Sequence, residues 1–266
     1  MSTIYSPKEK GFSEPLHIID RCQVALLREI ANLSGQRLVL KGGMAMRASF
    51  GSMRLTKDMD FDRDPEATTL SSVKGMIARG MKAAAEHSRL RELSIDFPKA
   101  TDVTLRARLV GETTGGHAVR FEVEVSGRRF PGRSNRRMET VVPPSDYGMA
   151  PFPVHTYTHQ MLAASKVLAV MSDNRNVPRD IYDLRDLILA QASPVDILRS
   201  LPPEAVVRMR ADIVNKLALI TFDHAREELL PYLPPDTAAG IDQATWEAWT
   251  LDVAESVDGW LEEIES

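Results

Sequence analysis

One stretch constrains this chain more than any other. Residues 39–61 read as the end of a β-rich run (RLVL, 37–40), a Gly42-Gly43 pair and one or two helical turns over 44–50. A Gly51-Ser52 turn and a second strand over 54–62 holding Asp58-Met59-Asp60 follow. Glycines at a strand end carry no Cβ, so the backbone there can approach a ligand closely. Backbone N–H groups that open a helix favour a phosphate. Residues two apart in a strand point to the same side, so Asp58 and Asp60 share a face. Two carboxylates beside a phosphate-binding turn are a donor set for a hard divalent cation, Mg²⁺ or Mn²⁺. The run VRFEVEVS (119–126) alternates cleanly and places Glu122 and Glu124 together, so either can supply a third carboxylate from a neighbouring strand.

The rest of the chain divides in two. A helix is predicted over 16–33, with Ile19, Val24, Leu27, Ile30 and Leu33 as its apolar stripe and Gly35 as its stop. A second helix is predicted over 69–87, and extended segments over 93–97 and 103–111. Beyond Pro143-Pro144 strand signals nearly vanish, and helical periodicity recurs over 158–171, 179–190, 203–220 and 245–264. The expectation is an α+β protein: a mixed-sheet α/β domain over 1–145, then an all-helical domain over 150–266 that closes the other side of a cleft.

Composition narrows the function classes. The hydrophobic fraction of 43% and charged fraction of 26% exclude disorder as the main state. No apolar run approaches the roughly 18 residues of a spanning helix, so no membrane association is expected. The N-terminal residues hold no apolar signal-peptide core. A single cysteine, Cys22, excludes a disulfide framework and a cysteine-based zinc site within the chain, which suits the cytoplasm. The net charge of −4 hides an asymmetry. Residues 219–266 hold twelve acidic residues and one basic, a net of −11, which leaves +7 on residues 1–218. A basic front suits an anionic substrate. Its densest part, RRFPGRSNRR (128–137), reads as a loop with Arg128, Arg129, Arg133, Arg136 and Arg137. It suits a nucleic-acid backbone, with Phe130 available to stack on a base.

KGGMAMR (41–47) followed by RLTKDMDF (54–61) resembles the signature of polymerase-β-like nucleotidyltransferases, in the form typical of the AbiEii/AbiGii toxin family. A second match lies in 160–184, where a helix with a central Lys166 precedes Arg179-Asp180 and Asp183 at the start of the next helix. The resemblance implies that Gly42 and Gly43 cradle phosphate and that Asp58, Asp60 and a third carboxylate bind metal. Glu124 fits that third place best, with Glu122 as runner-up. It implies that Lys166 binds the triphosphate and that Asp180 is the family's catalytic carboxylate in the helical half. Arg47, Arg54 and Arg179 are either phosphate contacts or structural ion pairs. One departure stands out: Met44 occupies a position where the superfamily usually carries Ser or Thr.

The function so implied is Mg²⁺- or Mn²⁺-dependent transfer of a nucleotide from an NTP to an acceptor hydroxyl, most simply on tRNA. The protein would be the toxin of a toxin–antitoxin or abortive-infection pair, with a separately encoded antitoxin as partner. The same residues would serve transfer to a small molecule or a protein, and Met44 is the one feature that suits a degenerate, non-catalytic binding protein.

Overall fold

The computed structural model describes residues 1–173 and 175–266. The chain forms two compact units, Met1–Tyr157 and Thr158–Ser266. The first is built on one eight-stranded mixed sheet. In chain order its strands are β1 (Ser2–Thr3), β2 (Leu38–Lys41), β3 (Asp58–Arg63), β4 (Arg91–Ala100), β5 (Thr104–Glu112), β6 (Ala118–Ser126), β7 (Arg136–Val142) and β8 (Phe152–Tyr157). Their spatial order is β1-β7-β8-β2-β3-β6-β5-β4.

Helix α1 (Glu14–Ser34) and helix α3 (Leu70–His87) pack on each other in this unit. Between them in sequence, a short helix α2 (Gly42–Ala45) runs on as one π-type turn, Met46–Phe50. Leu26, Leu27 and Ile30 of α1 are fully buried, each adding about 1.5–3 kcal/mol by leaving water. Gly35 ends α1 as expected, its N–H bonding to the Ala31 carbonyl.

Alternation along the central strands gives the sheet two different faces. Met59, Phe61, Val123, Val125, Leu105 and Ala107 are buried on one. Asp58, Asp60, Glu122, Glu124, Arg106 and Arg108 point to the other, where they are only half-buried or more exposed.

Two expectations change here. Residues 128–137 are not all loop, because β7 begins at Arg136 and pairs antiparallel with β8 (Arg136↔Tyr157 through Val141↔Phe152). A strand also exists beyond Pro143-Pro144. Pro153, opposite Thr140, masks it in the sequence, since proline lacks the N–H that a ladder needs. Pairing with β7 on one side and β2 on the other overrides that local signal. His155 lies in β8, and His159 opens the helix that follows.

The second unit is helical throughout its described residues: α4 (His159–Val170), α5 (Pro178–Leu189), α6 (Val195–Leu198), α7 (Pro203–Ala218), α8 (Phe222–Glu228), α9 (Pro235–Ala239) and α10 (Gln243–Glu265). Trp246 is buried in its core and donates its indole N–H to the Ile220 carbonyl at 2.9 Å. The acidic tail lies largely along α10, where Arg210 of α7 pairs with Asp258, Glu262 and Glu265. Among the described residues no helix is long and apolar enough to cross a membrane.

Candidate active site

The site of the first unit is built on register. β3 pairs parallel with β6 so that Asp58 stands opposite Glu122 and Asp60 opposite Glu124. On its other side β3 pairs antiparallel with β2, and Lys41 stands opposite Asp60. Residues directly opposite across neighbouring strands point to the same face. Lys41, Asp60 and Glu124, with Arg106 opposite Glu124 on β5, therefore form one row across the sheet.

The glycine pair is required at this row, but by the protein's own side chains. Gly42 has φ +67°, and a Cβ built on it would lie 2.6 Å from Asp60 Oδ2. A Cβ on Gly43 would lie 2.7 Å from Thr56 Oγ1 and 2.9 Å from Arg54 Nη2. The Asp60 carboxylate thus occupies the space that any larger residue at position 42 would fill. Met44, in contrast, is fully buried. It serves the core, so the position where a hydroxyl was expected presents no polar group to a phosphate.

Glu122 and Glu124 are engaged by β5. Arg106 Nη2 donates to Glu124 Oε2 at 2.6 Å and Arg108 Nε to Glu122 Oε1 at 2.9 Å. The bond to Glu124, followed by the charges of Glu124, Glu122 and Asp58, raises the pKa of the Arg106 guanidinium against the opposing effect of burial. Asp58 and Asp60 present only oxygen donors, which fits Mg²⁺ or Mn²⁺. Glu124 stands in register to be the third donor once Arg106 releases it. Both partners of that pair are substantially exposed (42% and 35%), so exchanging it costs about 1 kcal/mol or less. Among the described residues no three or more His, Cys, Asp or Glu side chains converge as a metal site.

The second unit has its own charged cluster. Lys166, at the centre of α4, donates from Nζ to Asp180 Oδ1 at 2.7 Å and lies 2.5 Å from Asp183 Oδ2. Asp180 and Asp183 are three apart on α5 and so share a face. Arg175 Nε adds a bond to Asp180 Oδ2 at 2.6 Å. Burial by itself pushes the Asp180 carboxyl up. Lys166 and Arg175 outweigh it and hold the group down at about 2.

The sequence profile described as "Nucleotidyl transferase AbiEii toxin, Type IV TA system" matches residues 25–256. The chain belongs to the AbiEii nucleotidyltransferase toxin family. No curated protein matches the sequence significantly. JHP933 from Helicobacter pylori shares its fold, with a TM-score of 0.61 at 16% identity over 95% of both chains. MenT4, a nucleotidyltransferase toxin of Mycobacterium tuberculosis, superposes with a TM-score of 0.58 at 17% identity over 97% of this chain and 90% of that one. As a member of the AbiEii family, the protein is a nucleotidyltransferase toxin of a type IV toxin–antitoxin system, with an NTP as substrate and an antitoxin as partner.

Several residues singled out from the sequence are redirected by the structure. Arg47 is not a nucleotide contact. It is fully buried and grips Asp20 in bidentate fashion, Nε to Oδ1 at 2.6 Å and Nη2 to Oδ2 at 2.7 Å. It also donates to the Tyr5 carbonyl at 3.0 Å and stacks over the Tyr5 ring. Arg54 is likewise buried, with Nη1 donating to the Leu55 carbonyl at 2.9 Å. Arg137 is half-buried and donates to the Ser49 carbonyl at 3.0 Å while pairing with Glu139 at 3.2 Å. Phe130 carries the Arg136 guanidinium on its ring, 4.7 Å from the centroid. Arg128, Arg129 and Arg133 stay exposed. Arg179 is half-buried, and its Nε is buried without a hydrogen-bond partner.

One group beside the carboxylates was not singled out from the sequence. Asp62 follows Asp58 and Asp60 on the same face of β3. It accepts from Lys41 Nζ at 2.6 Å and from the Tyr157 hydroxyl. The DMDFD spacing could have flagged Asp62, but Tyr157 is 95 residues away and only the pairing of β8 with β2 brings it in.

Proposed function

We propose that this toxin transfers a nucleotide from an NTP to a hydroxyl of RNA, tRNA foremost, in the cytoplasm and with Mg²⁺ or Mn²⁺. One observation carries the reading: Asp58 and Asp60 project from one face of β3, opposite Glu122 and Glu124, with Asp60 packed against Gly42. In this reading Asp58 and Asp60 hold the cation with Glu124 (or Glu122 in its place). When bound, the cation would neutralise phosphate charge and lower the acidity threshold of the attacking hydroxyl. Gly42 and Gly43 receive the phosphates. The resemblance gives Lys166 and Arg179 to the triphosphate, with Lys166 held between Asp180 and Asp183.

The chemistry is a displacement at phosphorus. The acceptor oxygen bonds to the α-phosphorus, the bond from that phosphorus to the bridging oxygen breaks, and pyrophosphate leaves. The hydroxyl proton passes to the Glu124 carboxylate. The exposed Arg128, Arg129 and Arg133, with Arg136, favour a polyanionic acceptor over a neutral small molecule or a protein.

The test is transfer of label from each α-labelled NTP to total tRNA with Mg²⁺, alongside Asp58→Asn and Asp60→Asn. Label on tRNA that is lost in both variants is the expected result. Intact NTP binding without transfer to any RNA would overturn the RNA acceptor. Full activity in both variants would overturn the carboxylate site.

A further inference from the structure

The Lys41–Asp62–Tyr157 group has no role in the chemistry as described, yet it borders the site. Lys41 stands opposite Asp60 in the β2–β3 register and immediately precedes the Gly42-Gly43 turn. Lys41 and Tyr157 both reach Asp62, which lies two residues along the same face of β3 from Asp60. All three groups are therefore on the side of the sheet that carries Asp58 and Asp60.

Two comparisons within the chain suggest what the lysine is for. A cation needed only to neutralise a buried carboxylate can be buried with it, as Arg47 is with Asp20, at 0% and 2% side-chain exposure. Asp62 is as hidden as that, at 4%, but Lys41 keeps 28%. Its ammonium has three N–H donors, its bond to Asp62 Oδ1 is one contact, and the residue stands opposite Asp60 in the β2–β3 register. The second comparison is with Met44. The residue after the glycine pair is buried and apolar, so a polar side chain to receive phosphate at this turn must come from elsewhere.

We propose that Lys41 contacts the β- or γ-phosphate of the NTP, aimed there by Asp62 and Tyr157. This rests on the reading that Asp58 and Asp60 form the metal and nucleotide site. In that reading the α-phosphate lies at the carboxylates. A cation one strand away then meets the next phosphates along the chain. Lys41 is a substrate-binding residue, whereas Asp62 and Tyr157 are positioning residues.

The experiment is calorimetric binding, with Mg²⁺, of the α,β-methylene analogues of the four ribonucleoside triphosphates and of the matching monophosphates. Lys41→Met should weaken the triphosphate analogue about 10- to 100-fold, the effect of one lost charged hydrogen bond, and leave the monophosphate within about twofold. Lys41→Arg should recover part of the loss, and Tyr157→Phe should show a smaller, still triphosphate-selective loss. If Lys41→Met does not fold, Asp62→Asn takes its place. It keeps a partner for Tyr157, releases the ammonium, and should give a loss of the same selectivity. Equal losses for mono- and triphosphate would show a merely structural lysine and overturn the proposal, as would an unchanged triphosphate affinity. A folded wild type that binds no NTP overturns the underlying reading, and the proposal with it. That pattern is distinct, because it is already visible before any variant is made.

Discussion

Replacing Arg47 by methionine separates a structural arginine from a nucleotide contact, and the structure sets the size of the effect. The side chain is fully buried, makes two short bonds to Asp20 and one to the Tyr5 carbonyl, and stacks on the Tyr5 ring. Methionine fills much of the volume but leaves the Asp20 carboxylate in the interior with the Tyr147 hydroxyl. Removing one partner of a buried ion pair costs about 3–5 kcal/mol.

A reporter is already in place. Cys22 is the chain's one cysteine, lies two residues from Asp20 on α1 and is fully buried. Burial pushes its thiol up to about 12, so it reacts with a thiol reagent only when this region opens. A loss of 3–5 kcal/mol should speed its labelling by roughly 10²- to 10³·⁵-fold at neutral pH. Trp246, Trp249 and Trp260 all lie in the second unit and report on that unit separately. Labelling of Arg47→Met within about threefold of wild type, combined with a large loss of NTP affinity, would refute the reasoning and return Arg47 to the nucleotide site.

Two further outcomes follow from the site's geometry. Gly42→Ala places a methyl 2.6 Å from Asp60 Oδ2 at φ +67°, whereas Gly51→Ala meets nothing within 4 Å at φ +82°. Both should lose about 1–2 kcal/mol to backbone strain. Only Gly42→Ala should lose about tenfold or more in transfer activity and metal affinity, and equal activities would refute the packing argument. Asp180, held at about 2 against an ordinary 3.8, stabilises the helical unit above pH 3.8, and that contribution fades as pH falls through about 2. It is worth about 2 kcal/mol. Acid unfolding followed by tryptophan fluorescence should therefore begin at higher pH in Asp180→Asn, and superimposable profiles would count against the Lys166–Asp180 pair.

Most of the first unit was readable because its signals are local. Gly-Gly after a strand, Asp-x-Asp with period two and an alternating VRFEVEVS are patterns whose consequences lie within a few residues. The helices also follow their periodicity closely: 16–33, 69–87, 203–220 and 245–264 are observed as Glu14–Ser34, Leu70–His87, Pro203–Ala218 and Gln243–Glu265. What failed was non-local. β7 and β8 hold little strand signal of their own and exist because β1 and β2 flank the pair.

The destinations of the arginines were not readable either. Arg47 and Arg106 are both basic residues near a candidate site. Asp20, on a helix 27 residues earlier, claims the first in the interior, while Glu124, across a strand pair, holds the second at the surface.

The sequence alone thus determined the chemistry available: two carboxylates on one strand face, a glycine turn beside them, a lysine and two aspartates on successive helices, and a basic front. The tertiary structure decided what each charge is committed to. It set Glu124 opposite Asp60, buried Met44 and Arg47, and brought Tyr157 across from another strand to hold Asp62 and Lys41. The reason is physical. Backbone periodicity fixes which way a side chain points, but a charge's partner depends on strand order and register, which depend on pairings between distant segments.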